Sequence, residues 1–164
     1  MTQPGTTLGV LKAAVISELQ ARLPNVAYDS PVDAQSIIGE DGSGDAIWWS
    51  DDAIGNIEVK VITGSPVWFD ETYNLTLIIQ ALGRDTDADQ SAVDSRAVDL
   101  LGEIIGILAT DPTAGAVDTA KIQTFTALPI GWRYAAGVLG TTTKRGARFE
   151  LDIQVMARLT LAAS

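Results

Sequence analysis

The chain has 164 residues, of which 46% are hydrophobic, enough to bury the core of one ordinary domain. It contains no cysteine and no histidine, so disulfides, thiolate or imidazole catalysis and thiolate zinc sites are excluded, and any metal would need oxygen ligands. A net charge of −10 argues against a protein that holds nucleic acid by neutralising phosphates, although DNA can pass such a surface without adhering.

The opening MTQPGTTLGV lacks a basic segment followed by an apolar one, and no window approaches the roughly 18 apolar residues of a membrane span. The expectation is a soluble protein made inside the cell, with no membrane partner. Thr6 or Thr7 is placed to cap a helix whose apolar positions Leu8, Leu11, Val15, Leu19 and Leu23 recur at three- and four-residue steps, and Pro24 ends it. From Leu23 to Val59 there are eight acidic residues and no Lys or Arg. The loop-rich acidic segment is set at residues 29–56, inside a single domain spanning 1–164.

Within it, Glu40-Asp41-Gly42-Ser43-Gly44-Asp45-Ala46-Ile47-Trp48-Trp49-Ser50-Asp51-Asp52 crowds carboxylates around two glycines and two tryptophans. A calcium loop starting at Asp41 would find oxygen ligands at Ser43, Asp45 and Asp52. It has Ala46 where the sharp turn needs glycine, and strand-like Ile47-Trp48-Trp49 where a helix should continue. A paired-carboxylate hydrolase would need one acid neutralised by burial, which no pattern here indicates. A solvated acidic connection leading into an edge strand explains the stretch better, with no metal ligand and no cofactor assigned. An oxygen-ligand metal hydrolase is kept as the remote alternative.

Two strands follow, Ile57, Val59 and Val61 alternating with polar residues and then Tyr73 to Ala81, joined through Gly64-Ser65-Pro66 as an antiparallel hairpin. A second helix begins near Asp87 or Asp89, carries Val93, Ala97, Leu100, Leu101, Ile104 and Leu108 on one face, and closes at Asp111-Pro112. A strand at Lys121–Leu128, a connection from Pro129 to Gly146 and a long final strand complete the chain. In the last, Phe149, Leu151, Ile153, Val155 and Leu159 alternate with Arg148, Glu150, Asp152, Gln154 and Arg158. Gly137 to Lys144 lacks the Gly-Lys-Ser/Thr ending of a phosphate loop, and Asn74-Leu75-Thr76 lies inside a strand, so neither is assigned a role. The predicted fold is α+β: an antiparallel or mixed sheet of four or more strands with two main helices on one face.

Adjacent strand residues face opposite sides, so Trp48 and Trp49 cannot share a core, and Trp68 and Phe69 repeat the pattern. With Trp132 these are the candidate docking residues. The charges suggest a second set: Asp41, Asp45, Asp51 and Asp52 on one patch, and Arg133, Lys144, Arg145 and Arg148 on another. If the patches lie on opposite sides they suit a head-to-tail ring.

The run Glu71-Thr72-Tyr73-Asn74-Leu75-Thr76-Leu77, the helix end Ile107-Leu108-Ala109-Thr110-Asp111-Pro112-Thr113, and Gly115-Ala116-Val117-Asp118 leading into a strand resemble small tail-completion proteins of long-tailed bacteriophages, tail terminators in particular. Ala114-Gly115-Ala116 departs from the Leu-Gly-Gly step of many such proteins. The resemblance implies a non-enzymatic structural subunit of the virion, assembled in the host cytoplasm. Six copies would form a ring at the head-proximal end of the tail tube, stop tube polymerisation and present a surface to the head. Its partners would be its own copies, the tube protein and a head-side connector or stopper, with DNA passing through the bore. Asp85, Asp87 and Asp89 are candidates for an acidic lining of that bore. A head-side connector ring is the alternative role.

Overall fold

A computed structural model describes residues 6–28, 45–60, 68–83, 89–112, 122–138 and 145–160. Among them the chain forms an α+β domain in the order α1 (Leu8–Arg22), β1 (Ala46–Trp49), β2 (Ile54–Lys60), β3 (Trp68–Leu82), α2 (Gln90–Thr110), β4 (Ile122–Val138) and β5 (Arg145–Thr160).

The sheet runs β1-β3-β5-β4, with β2 also bonded to β3, and every strand pair is antiparallel. β1 takes Leu77–Gln80 of β3 and β2 takes Trp68–Asn74, so the two short strands lie end to end along one side of β3. Between them Ser50 N donates to Thr76 O at 2.9 Å. Three strands of 15 to 17 residues form the rest, each about 50 Å long at the rise of extended chain.

The apolar periods explain the layers. Leu11, Val15 and Leu19 of α1 are fully buried, as are Val93, Ala97, Ile104 and Leu108 of α2, and they join one core with Leu75, Leu77, Ile79, Leu151, Ile153 and Val155 of the sheet. Both helices therefore cover one sheet face, and α2 lies against β3, β4 and β5. Both stop on the residue before a proline, Leu23 at φ −127° and Asp111 at φ −129°, where the following ring disfavours helical backbone. Asp89 caps α2, its Oδ1 accepting from Ala92 N at 3.0 Å.

Two expectations need correction. Of the two threonines expected to cap α1, Thr7 makes no side-chain cap, whereas Thr6 Oγ1 accepts from Leu8 N at 3.2 Å. A further cap comes from β3: Glu71, only 4% exposed, accepts from Thr7 N and from Thr7 Oγ1, both at 2.9 Å, and from the Thr6 hydroxyl. The residues from Pro129 onward, read as a connection, continue β4 as far as Val138. Pro129 is tolerated because β4 is an edge strand and the register shifts between Pro129 and Gly131, making Ile130 the extra residue of a bulge. At the far end, Gly83 N donates to Arg145 O at 2.6 Å, and a Cβ on Gly83 would stand 2.9 Å from that oxygen, so only glycine allows this approach.

The proposed hairpin turn at Gly64-Ser65-Pro66 lies outside the described residues, as do the glycine-rich part of the acidic stretch and residues 139–144. The pairing of β2 with β3 is antiparallel as expected.

Candidate protein interface

Strand register sorts the side chains facing away from the helices into rows. Glu58, Asp70 and Arg158 share one row, Asn56, Thr72 and Met156 the next, and Ile54, Asn74, Gln154 and Leu128 the next. Farther along come Thr76 with Asp152, then Trp48, Ile78, Glu150 and Arg133, then Ala46, Gln80, Arg148 and Ala135. This open face is polar along most of its length.

Its charges are largely paired across strands. Arg158 grips Asp70 with two nearly parallel bonds, Nε to Oδ1 at 2.7 Å and NH2 to Oδ2 at 2.9 Å. Arg133 reaches Glu150 at 3.0 Å and Asp152 at 3.1 Å, and Asp152 also accepts from Thr76 Oγ1 at 2.9 Å. The bond to Glu150, with the charge of Asp152, raises the Arg133 pKa and keeps the guanidinium protonated. Solvent screens these exposed pairs, so the ladder orders the face more than it holds the fold. Two open hollows of about 270 and 370 Å³ lie among these residues, around Arg133 and Glu150 and around Asp70 and Arg158. Among the described residues no group of three or more acidic side chains gathers as a metal site would require.

The tryptophans divide as strand geometry demands. Trp48 points to the open face, where it is 9% exposed, clusters with Ala46 and Ile78, and lies under the Arg148 guanidinium at 5.6 Å. Trp49 points to the helical side, and its Nε1 donates to Lys12 O at 3.2 Å. Phe69 is buried in the main core, while Trp68 sits beneath the guanidinium of Arg158 at 5.5 Å. Trp48 and Phe69 therefore offer little surface in the free subunit. Trp132, 58% exposed and edge-on to Phe149 at 5.4 Å, offers a large one.

The charged candidates divide too. Asp45, nearly buried, is held by Arg96 of α2 at 3.2 Å, and Arg96 also donates to Leu82 O, so this pair ties α2 to the sheet within one subunit. Arg148 is engaged with Trp48 and stands 3.5 Å from Glu150. Asp51 and Asp52 are exposed at the break between β1 and β2, and Arg145 is exposed at the start of β5. Of the acidic bore candidates, Asp89 is the cap of α2, while Asp85 and Asp87, like Asp41 and Lys144, lie outside the described residues.

Sequence reasoning missed the two open edges. All of β2 from Ile54 to Val59 is exposed, with Ile54 at 86%, although alternation had suggested a half-buried strand. On the opposite edge β4 exposes Leu128, Ile130, Trp132 and Tyr134. Among the described residues no strand pairs with the outer side of β2 or of β4. Pairing along the β4 edge is interrupted by Pro129, by the Ile130 bulge and by Ala127 N, which donates to Pro112 O at 2.7 Å, while its exposed apolar side chains, like those of β2, suit contact with another protein. The signal available in the sequence was the apolar run around Trp132, which lies in the stretch from Pro129 to Gly146 read as a connection.

Tyrosines give a test of the packing. Burial pushes Tyr28 up to about 12, and its hydroxyl donates to Leu23 O at 2.7 Å. Burial also pushes Tyr73 well above its ordinary value, and its hydroxyl shares a 2.8 Å hydrogen bond with Thr7 Oγ1. Both folded values lie above the unfolded one near 10, so their stabilising contribution is complete below about pH 10 and is lost as pH climbs through the folded values. Unfolding free energy by urea denaturation is expected to fall as pH rises from about 9 to about 11.5, with Tyr73→Phe showing a clearly shallower fall. An unchanged slope in Tyr73→Phe would place the alkaline transition elsewhere.

No protein-family model matches the chain, and no curated protein matches it.

Proposed function

We propose that this chain is a structural virion protein, a tail terminator whose six copies close into a ring on the head-proximal end of a phage tail tube. The observation that carries this reading is the exposure of apolar side chains on both edge strands, Ile54, Ile57 and Val59 of β2 and Leu128, Ile130, Trp132 and Tyr134 of β4, on opposite sides of the subunit. Two different surfaces that fit each other make a heterologous contact, which closes into a ring when the rotation between copies allows it. The resemblance to tail-completion proteins, concentrated between Glu71 and Ile122, supports a position for that ring at the end of a tail tube.

On this reading the protein is not an enzyme. The ring binds the last tube ring through one end, presents a different end to the head-side connector and so stops the tube from propagating. A net charge of −10 per copy lets DNA slide through without adhering. The test is negative-stain electron microscopy of particles made when the gene is disrupted in its parent phage. Overlong, irregular tubes are the expected result. Tails of normal length beside detached heads would move the ring to the head side, and normal infectious virions would end both readings.

A further inference from the structure

The β4 edge is interrupted by Pro129 and the Ile130 bulge, whereas β2 runs from Ile54 to Lys60 without a proline or a register shift. Its outward backbone groups follow from the pairing with β3. Ser50 N donates to Thr76 O, so Thr76 turns its main-chain groups toward this side of β3, and by alternation Asn74, Thr72 and Asp70 do the same. They take Ile54, Asn56 and Glu58, which leaves the N–H and C=O groups of Gly55, Ile57 and Val59 pointing outward. A Cβ on Gly55 would stand 3.0 Å from Tyr73 Cβ, the close approach of a pair that shares no ladder bonds. Every residue from Ile54 to Val59 is exposed, and among the described residues no strand pairs with this edge.

The strand is complementary to a second copy of itself. Ile57 and Val59 pair with Glu71 and Phe69 and so lie on the helical side, whereas Ile54, Asn56 and Glu58 lie on the open face. A twofold axis perpendicular to the sheet at Ile57 keeps both faces in place and sets two copies antiparallel, with Ile57 against Ile57 and Val59 against Gly55. Gly55 leaves room for the valine on the helical side. Glu58 then falls opposite Asn56, and the whole of Ile54–Lys60 is paired. Moving the axis to Glu58 would set that carboxylate against its own copy, and moving it to Asn56 would leave Val59 without a partner in β2.

We infer that free subunits associate in pairs through β2, which adds to β2 of a second copy as an antiparallel strand and joins two sheets into one. Main-chain hydrogen bonds from Gly55, Ile57 and Val59 supply the affinity, and the side-chain matches supply the register, as in other strand-addition contacts. One short strand is a small contact, so the pair is weak and reversible. The pair goes beyond the ring reading and does not depend on it. It covers the β2 surface that a ring would use, so paired subunits must separate before a ring closes.

Sedimentation velocity of the purified chain across a dilution series is the test. A monomer–dimer equilibrium is expected, and Ile57→Lys, which sets like charges face to face, should raise the dimer dissociation constant about tenfold or more. Asn56→Glu should weaken the pair as well, and Asn56→Lys, facing Glu58, should strengthen it. The sequence has no cysteine, so Ile57→Cys should oxidise to a linked dimer, while Val98→Cys on α2 should not. Ile57 and Val98 are both exposed, so the fold should survive these changes, which circular dichroism checks. A chain that stays monomeric at every concentration, with no link through Ile57→Cys, overturns the pair and leaves the edge to a strand of another protein. A dimer that Ile57→Lys does not weaken overturns it too. A dimer weakened as expected, together with normal virions after gene disruption, would retain the pair and remove the terminator role. A monomeric chain with overlong tubes would do the reverse.

Discussion

Replacing Glu71 with alanine is expected to lower the free energy of unfolding by about 2–4 kcal/mol, one of the two largest single-residue effects expected here. Its carboxylate is buried and accepts from one backbone amide and two hydroxyls at the start of α1. Removing it leaves the buried Thr7 amide without its partner, and the loss of the charge also removes a favourable term at the positive end of the helix. For a chain of this size the midpoint of thermal unfolding should drop by about 2–4 °C for each kcal/mol. Glu71→Gln keeps one acceptor and should recover part of the loss. Thr7→Ala in the Glu71→Ala background should cost less than in the parent, by about 1 kcal/mol or more, because the two groups act on each other. Strict additivity would show that the helix start is held in another way.

The second large effect is expected at Leu77, which is fully buried on β3, opposite Leu151 of β5 on one side and Trp49 of β1 on the other. Leu77→Ala should cost about 2–5 kcal/mol, the sum of lost transfer energy and an unfilled cavity. Ile57→Ala, on the exposed β2, should change the stability of the separate subunit by about 0.5 kcal/mol or less. Urea denaturation of both variants reads the contrast. Equal losses would mean that β2 is covered within the subunit and that its edge is not open.

The helices and the last strand were legible because each buries a single stripe. The six apolar residues expected on one face of α2 are its buried residues, and the alternation from Phe149 to Leu159 is the core face of β5. What stayed hidden depends on which strand lies beside which. Asp70 with Arg158 and Thr76 with Asp152 are far apart in the chain and meet only because β3 and β5 align residue for residue. Glu71 lies just before the alternation read from Tyr73 to Ala81, and it faces the core side, where the threonines at the start of α1 supply its partners. Pro129 hid the second half of β4, since proline argues against a central strand but not against an edge with a bulge. The candidate interface residues were chosen as aromatic pairs, and strand geometry sends the members of each pair to opposite faces.

The central position of the β3 and β5 pairing also sets how the chain must reach this state. Thr76 and Asp152, bonded across those strands, are 76 residues apart, and α2 and β4 lie between them in sequence. Closing so long a loop costs entropy before the contacts repay it, so folding should be slow for a domain of this size, while α2 can form from local contacts alone. During that delay the apolar strands have no sheet to join except those of other chains. Nascent copies made close together on one message would thus be at their most exposed to aggregation just before the centre of the sheet closes.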